Sequence, residues 1–126
     1  MNFKESEVNV LQWAKNRKIL HAGNTYQQYA KFMEEANEIL IALNKKEIVI
    51  KQAGKLDITS EKERLIFRQI RTENENELKD AFGDTIVTLI ILAGQNGLKL
   101  EDCLEYAYNE IKNRTGKTIN GTFIKD

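Results

Sequence analysis

The segment Ile86 to Ala93 reads Ile-Val-Thr-Leu-Ile-Ile-Leu-Ala, an apolar run that any fold of this chain must hide. It is far shorter than the roughly 20 residues needed to cross a bilayer, so it reads as a core or interface helix. A helix in a small monomeric bundle keeps one wet face, whereas this segment is apolar on nearly all sides, which points to burial between subunits. Proline is absent. The aliphatic, Glu, Lys and Asn content favours helices joined by short loops over a turn-rich β fold.

Helical periodicity organises most of the chain. Val8, Val10, Leu11, Trp13, Ala14 and Ile19 mark a first helix from Glu5 to Lys18, and His21-Ala22-Gly23-Asn24 breaks it. Thr25 is a candidate N-cap for a second helix from Tyr26 to about Asn44, striped by Tyr29, Phe32, Ala36, Ile39, Leu40 and Leu43. From Lys45 to Thr59 the pattern weakens, and Glu47-Ile48-Val49-Ile50-Lys51 looks strand-like. Ser60 with Glu63 forms a capping-box pattern that opens a helix through Arg71. After the polar stretch Thr72 to Asn76, a helix from about Glu77 to Asn96 carries the apolar run and stops at Gly97. A last helix spans Leu100 to Asn113, with Glu101 and Asp102 in its first turn and no ordinary capping side chain near Lys99. From Thr115 the tail turns through Gly116 and Gly121 and looks irregular. There is no internal repeat.

At 126 residues the chain has the length of one domain, taken as 1–126. Charged residues make up 30% of it and cancel to zero net charge. No global basic field draws it to nucleic acid or to an anionic membrane, so any polyanion must meet a local site. The single cysteine, Cys103, excludes an intramolecular disulfide and fits a reducing compartment. Met1 to Lys18 lacks the apolar core of a secretory signal, and a cytoplasmic location is expected.

The polar side of the second helix carries Gln27, Lys31, Glu34, Glu35 and Glu38 on one sector. On the later helix Glu77, Asp80 and Asp84 stand at i, i+3 and i+7. If these ridges face each other, the carboxylates repel, and divalent cations best offset the cost. Magnesium suits such a site, because it takes oxygen ligands, keeps several waters and binds through a few carboxylates plus substrate phosphates. Histidine is missing from both ridges, which argues against zinc and di-iron centres. The plain alternative is that these acids form a solvated face.

The run Gln28-x-x-Lys31-x-x-Glu34-Glu35-x-x-Glu38, then Gly83-Asp84 leading into the apolar segment, then Asn109-x-x-Lys112-x-Arg114-x-Gly116-Lys117, resembles the MazG family of all-α nucleotide pyrophosphohydrolases, its short phage-encoded members above all. The likeness runs from Trp13 to Lys117. It implies an all-α, four-helix-bundle fold, a homodimer or homotetramer, and cleavage of nucleoside or deoxynucleoside triphosphates between the α and β phosphates. It also implies Mg²⁺ as cofactor, with Mn²⁺ as a possible substitute. Glu35 and Glu38 match the family's first metal-binding pair, and Asp84 matches the aspartate of its second, E-x-x-D motif. The residue three before Asp84 is Ala81. Either Asp80 stands in from the same side of the helix, or Glu77 and Asp80 are the literal motif, and the spacer from Glu38 is longer than the family usually has.

In such a site Glu34, Glu35 or Glu38 would orient the attacking water or take its proton. Lys112, Arg114 and Lys117 are candidates for the leaving pyrophosphate, or simply complement a helix C-terminus. Gln28, Lys31 and Asn109 are candidate substrate contacts, although an ion pair with Glu35 serves Lys31 equally well. Trp13, Tyr26 or Tyr29 would stack on a base if they are not core. The competing class is a non-catalytic helical assembly module, with solvated ridges and an apolar helix used only for association.

Overall fold

The computed structural model describes residues 1–22, 24–57 and 59–126. Its spine is a pair of long antiparallel helices, α3 (Thr25–Ala53) and α4 (Glu61–Gln95). Helix α1 (Phe3–Asn16), the short α2 (Ile19–Ala22) and α5 (Leu100–Ile111) gather where α4 ends. A two-stranded hairpin follows, with β1 (Gly116–Ile119) antiparallel to β2 (Thr122–Lys125). The all-α architecture expected from the sequence is the one the chain adopts.

Two helices run longer than their local sequence signalled. The strand-like stretch Glu47–Lys51 is the continuation of α3, and the polar stretch Thr72–Asn76 lies inside an unbroken α4. Both corrections have the same cause, which is pairing across the spine. Apart from Thr25 and Ala36, the half-buried or buried side chains of α3 are Gln28, Phe32, Glu35, Ile39, Ala42, Val49 and Ala53, and those of α4 include Phe67, Asn74, Leu78, Ala81, Thr85 and Thr88. Steps of three and four, or seven, are the repeat of a coiled-coil seam. Val49 extends that seam, so packing overrides the strand preference of Ile48-Val49-Ile50. Asn74 is buried, and its amide donates to the Ala42 carbonyl at 3.3 Å across the seam. Gln28 does the same at the other end, donating to the Thr88 carbonyl at 3.1 Å. These two bonds fix one antiparallel register, which puts Glu35 opposite Ala81.

The ends of the helices differ in detail from expectation. The first helix is two, divided at Lys18, whose φ is 62°. Asn24, not Thr25, caps α3, accepting from the backbone N–H of Tyr26 at 2.8 Å and Gln27 at 3.3 Å. Of the break placed at His21-Ala22-Gly23-Asn24, His21 and Ala22 belong to α2, Asn24 is the cap, and Gly23 falls outside the described residues. Ser60 accepts from the Glu63 N–H as the capping pattern requires, but the Glu63 carboxylate accepts from the Asp57 N–H instead of completing the box. Gly97 ends α4 at φ 74°, with Leu98 N–H donating to the Ala93 carbonyl and Gly97 N–H to that of Gly94, a Schellman motif. The tail is not irregular. Asn120 and Gly121, both at positive φ, make the two-residue turn of the β-hairpin.

Helix α5 receives its cap from elsewhere in the chain. Lys99 makes no side-chain cap bond. The buried carboxylate of Glu7 on α1 instead accepts from the N–H groups of Leu100 at 2.6 Å and Glu101 at 3.2 Å. An anion at a helix N-terminus gains from the dipole as well as from the two bonds. Glu7→Ala leaves two donors without their acceptor, and we expect it to cost about 2–3 kcal/mol of stability. Urea unfolding measures this, and a loss below about 0.5 kcal/mol, no more than an ordinary surface change, would contradict the assignment.

The spine has two other faces. On one, Tyr29, Met33, Leu40 and Leu43 of α3 lie beside Phe82 and Ile86 of α4, all exposed. The opposite face carries the acidic ridges. Within the apolar run, Ile90 and Ile91 are buried by the chain itself, while Ile86 remains open. Among the described residues no single helix is long and apolar enough to cross a membrane.

Candidate active site

Heptad geometry determines which carboxylates meet. Glu35 and Glu38 on α3, and Glu77, Asp80 and Asp84 on α4, flank the seam on the same side of the spine and line one cleft of about 300 Å³. Its floor includes Ala42 and Ala81, both buried. Small side chains there let the helices approach while the longer acids project from either side. Ala81 therefore occupies the place where the E-x-x-D pattern would put a glutamate, and Asp80, the next residue back, reaches the same cleft.

The cleft carries surplus negative charge. Asp84's carboxyl is held above the usual aspartate range, first by partial burial and then by the charges of Asp80 and Glu35, with Lys31 opposing. Lys31 bridges Glu35 at 3.1 Å and Glu34 at 3.4 Å, and these two acids raise its own pKa. Glu35 is the more enclosed of the two, its side chain 17% exposed against 65% for Glu34. Glu34 does not line the cleft. At the far end Lys45 pairs with Glu77 at 3.1 Å and lines the cleft with it.

Lys45 escaped the sequence reading because α3 was expected to stop at Asn44. With the helix continued, the spacing Glu38, Ala42, Lys45 puts it on the acidic side by simple periodicity.

Among the described residues, no three acids, histidines or cysteines converge as a finished metal cage. Magnesium needs only a few carboxylates and leaves its other positions to water and phosphate, whereas a structural zinc site closes four protein ligands around the ion.

The remaining candidates separate. Gln28 lines an adjoining cavity with Lys31 and Trp13, but its amide N–H₂ is already donated to Thr88. Asn109 lies on α5, Lys112 at its C-cap, Arg114 in the turn beyond and Lys117 on β1, and none of them lines the acidic cleft. Trp13 is 46% exposed, with the Arg17 guanidinium 5.0 Å from its ring centre, and belongs to the cavity wall more than to the core. Tyr26 and Tyr29 are exposed away from this cleft.

Asp84 gives a test with a definite sign. A carboxyl whose pKa is raised by folding favours its protonated form, so its contribution is complete below the unfolded pKa of about 3.9 and is lost as pH rises through the folded value. At neutral pH its charge is a net cost to the metal-free protein. Asp84→Asn should therefore raise the neutral-pH melting temperature without metal and flatten its dependence on pH in the acid range. A variant that melts lower than wild type throughout would contradict this reading.

A family model described as phosphoribosyl-ATP pyrophosphohydrolase matches residues 13–110. The matched stretch runs from Trp13 through α5, and it contains every carboxylate of the cleft and Asn109, while Lys112, Arg114 and Lys117 lie beyond it. No curated protein and no solved structure matches the chain.

Proposed function

Because the chain belongs to the phosphoribosyl-ATP pyrophosphohydrolase family, among the MazG-like all-α pyrophosphohydrolases that act on phosphoanhydride bonds, we propose that it is a magnesium-dependent nucleoside or deoxynucleoside triphosphate pyrophosphohydrolase, releasing the nucleoside monophosphate and pyrophosphate. One observation carries this reading. Two acidic ridges, predicted from spacing alone, line a single cleft whose charge is unbalanced without a cation.

Glu35, Glu38, Asp80 and Asp84 are the residues that would hold the metal, with Glu77 engaged by Lys45. Bound there, magnesium would supply charge neutralisation of the phosphate oxygens and acidify coordinated water, with manganese as a possible substitute. Glu35, enclosed and partnered by Lys31, would orient the attacking water and accept its proton, with Glu38 the neighbouring alternative one turn on. Glu34 helps to hold Lys31 against this group.

The enzyme works as a homodimer or homotetramer in this proposal. The isolated chain exposes 9,976 Å², whereas a compact protein of 14.6 kDa exposes about 6,900 Å². A surplus of about 3,000 Å² per chain, with an apolar face on the reverse of the acidic one, is enough to supply one partner's side of an obligate interface, about 1,000–2,500 Å². An assembly module without catalysis would need that face and have no use for the opposite cleft.

Phosphorus NMR of reactions with the canonical ribo- and deoxyribonucleoside triphosphates, and with phosphoribosyl-ATP, tests the proposal. Pyrophosphate and a monophosphate are the expected products with magnesium, and neither with a chelator. Release of orthophosphate and a diphosphate, or no turnover of any member, would overturn it.

A further inference from the structure

The acidic cleft is not closed at its ends, and the two ends differ in chemistry. At the α1 end, Asp84 is shared by the acidic cleft and by a cavity of about 400 Å³ walled by Val10, Trp13 and Val87, which is mostly apolar. A second opening of about 260 Å³ joins Trp13 to Lys31, Glu35 and Asp84. At the other end the cleft reaches Lys45, the ammonium held by Glu77, and these two residues also border a smaller cavity lined by Ile48, Val49 and Ile70. Asp84 and Glu77 are two turns apart, about 10 Å along α4, a distance that a ribose and three linked phosphates together can span.

Resting on the pyrophosphohydrolase reading, we infer that substrate lies along this cleft in one direction, its nucleobase in the Trp13–Val10–Val87 slot and its terminal phosphate at Lys45. An exposed tryptophan beside two valines is the place for a flat apolar ring. The Arg17 guanidinium covers one face of the indole, which leaves the other for the base. At the far end, a phosphate oxygen takes the place of the Glu77 carboxylate on the Lys45 ammonium, exchanging one anion for another. This assigns the leaving pyrophosphate to a lysine on α3 rather than to the basic residues near the C-terminus. It also makes Trp13 and Val87 the residues that set base preference.

Trp13 is the only tryptophan, so its emission reports the slot directly. With the full chain and magnesium, α,β-methylene analogues of adenosine, guanosine, cytidine and uridine triphosphates should change that emission saturably for at least one base, and inorganic tripolyphosphate should not. Trp13→Ala should raise KM for the preferred triphosphate about tenfold or more, with kcat changed much less and Trp13→Phe intermediate. Lys45→Met should weaken the triphosphate analogue and leave affinity for the monophosphate product as it was. Three results overturn the inference while leaving the enzyme reading intact: turnover with unresponsive emission, a Trp13→Ala KM equal to wild type, or Lys45→Met weakening monophosphate and triphosphate alike. A base-dependent emission change in a protein that releases no pyrophosphate would keep the slot and overturn the enzyme reading. Neither signal with any nucleotide removes both.

Discussion

Glu38→Gln is expected to lower kcat/KM for the preferred triphosphate by about 10³-fold, roughly 4 kcal/mol of transition-state stabilisation, while the helical circular dichroism stays that of wild type. Glutamine keeps the size of the side chain and removes the charge. The effect therefore isolates the negative oxygen that Glu38 presents to the cleft. Folding should tolerate the change, because Glu38 is exposed and makes no ion pair among the described residues. Relief of repulsion among the cleft acids should even stabilise the metal-free form slightly. Glu34→Gln is the matched control, one turn away on the same helix but outside the cleft, and its loss should stay within about tenfold. Equal effects of the two substitutions would mean that the acidic face acts only through its general field. A Glu38→Gln protein with wild-type turnover would remove the first ridge from the chemistry altogether.

That contrast was visible in the sequence only in part. Helical spacing alone separated acidic from apolar sectors on both helices, and the motif likeness ranked Glu35 and Glu38 first. The choice among Glu77, Asp80 and Asp84 was left open by spacing, since all three share a face. Asp80 and Asp84 flank Ala81 opposite Glu35, whereas Glu77 is held by Lys45, a residue that local signals placed beyond the helix.

The errors of element assignment share a physical origin. Ile48-Val49-Ile50 and Thr72–Asn76 have weak local preference for helix, and only the seam across the spine, through Val49 and the Asn74 amide, decides their state. Glu7 lies 93 residues from Leu100, so no local pattern links it to the α5 cap. The C-terminal hairpin is different. Asn120-Gly121 between Ile119 and Thr122 is a strong local turn signal, and it was legible to anyone weighing it.

Ile86→Glu is expected to dissociate the proposed homodimer or homotetramer and to remove most activity at low protein concentration. Ile86 sits on the apolar face with Phe82 and Leu40, on the side of the spine opposite the carboxylates. A glutamate buried there without a partner costs several kcal/mol per subunit, and in a symmetric interface each copy pays it. Light scattering should show wild type above the mass of one chain and the variant at or near it, with a lower melting temperature. Since the substitution touches no cleft residue, turnover should return as protein concentration rises and reassembly is forced by mass action. Activity lost at every concentration with the assembly intact would place Ile86 in the chemistry instead. A wild-type chain that is monomeric and fully active would show that this exposed face and its surplus surface serve something other than self-association.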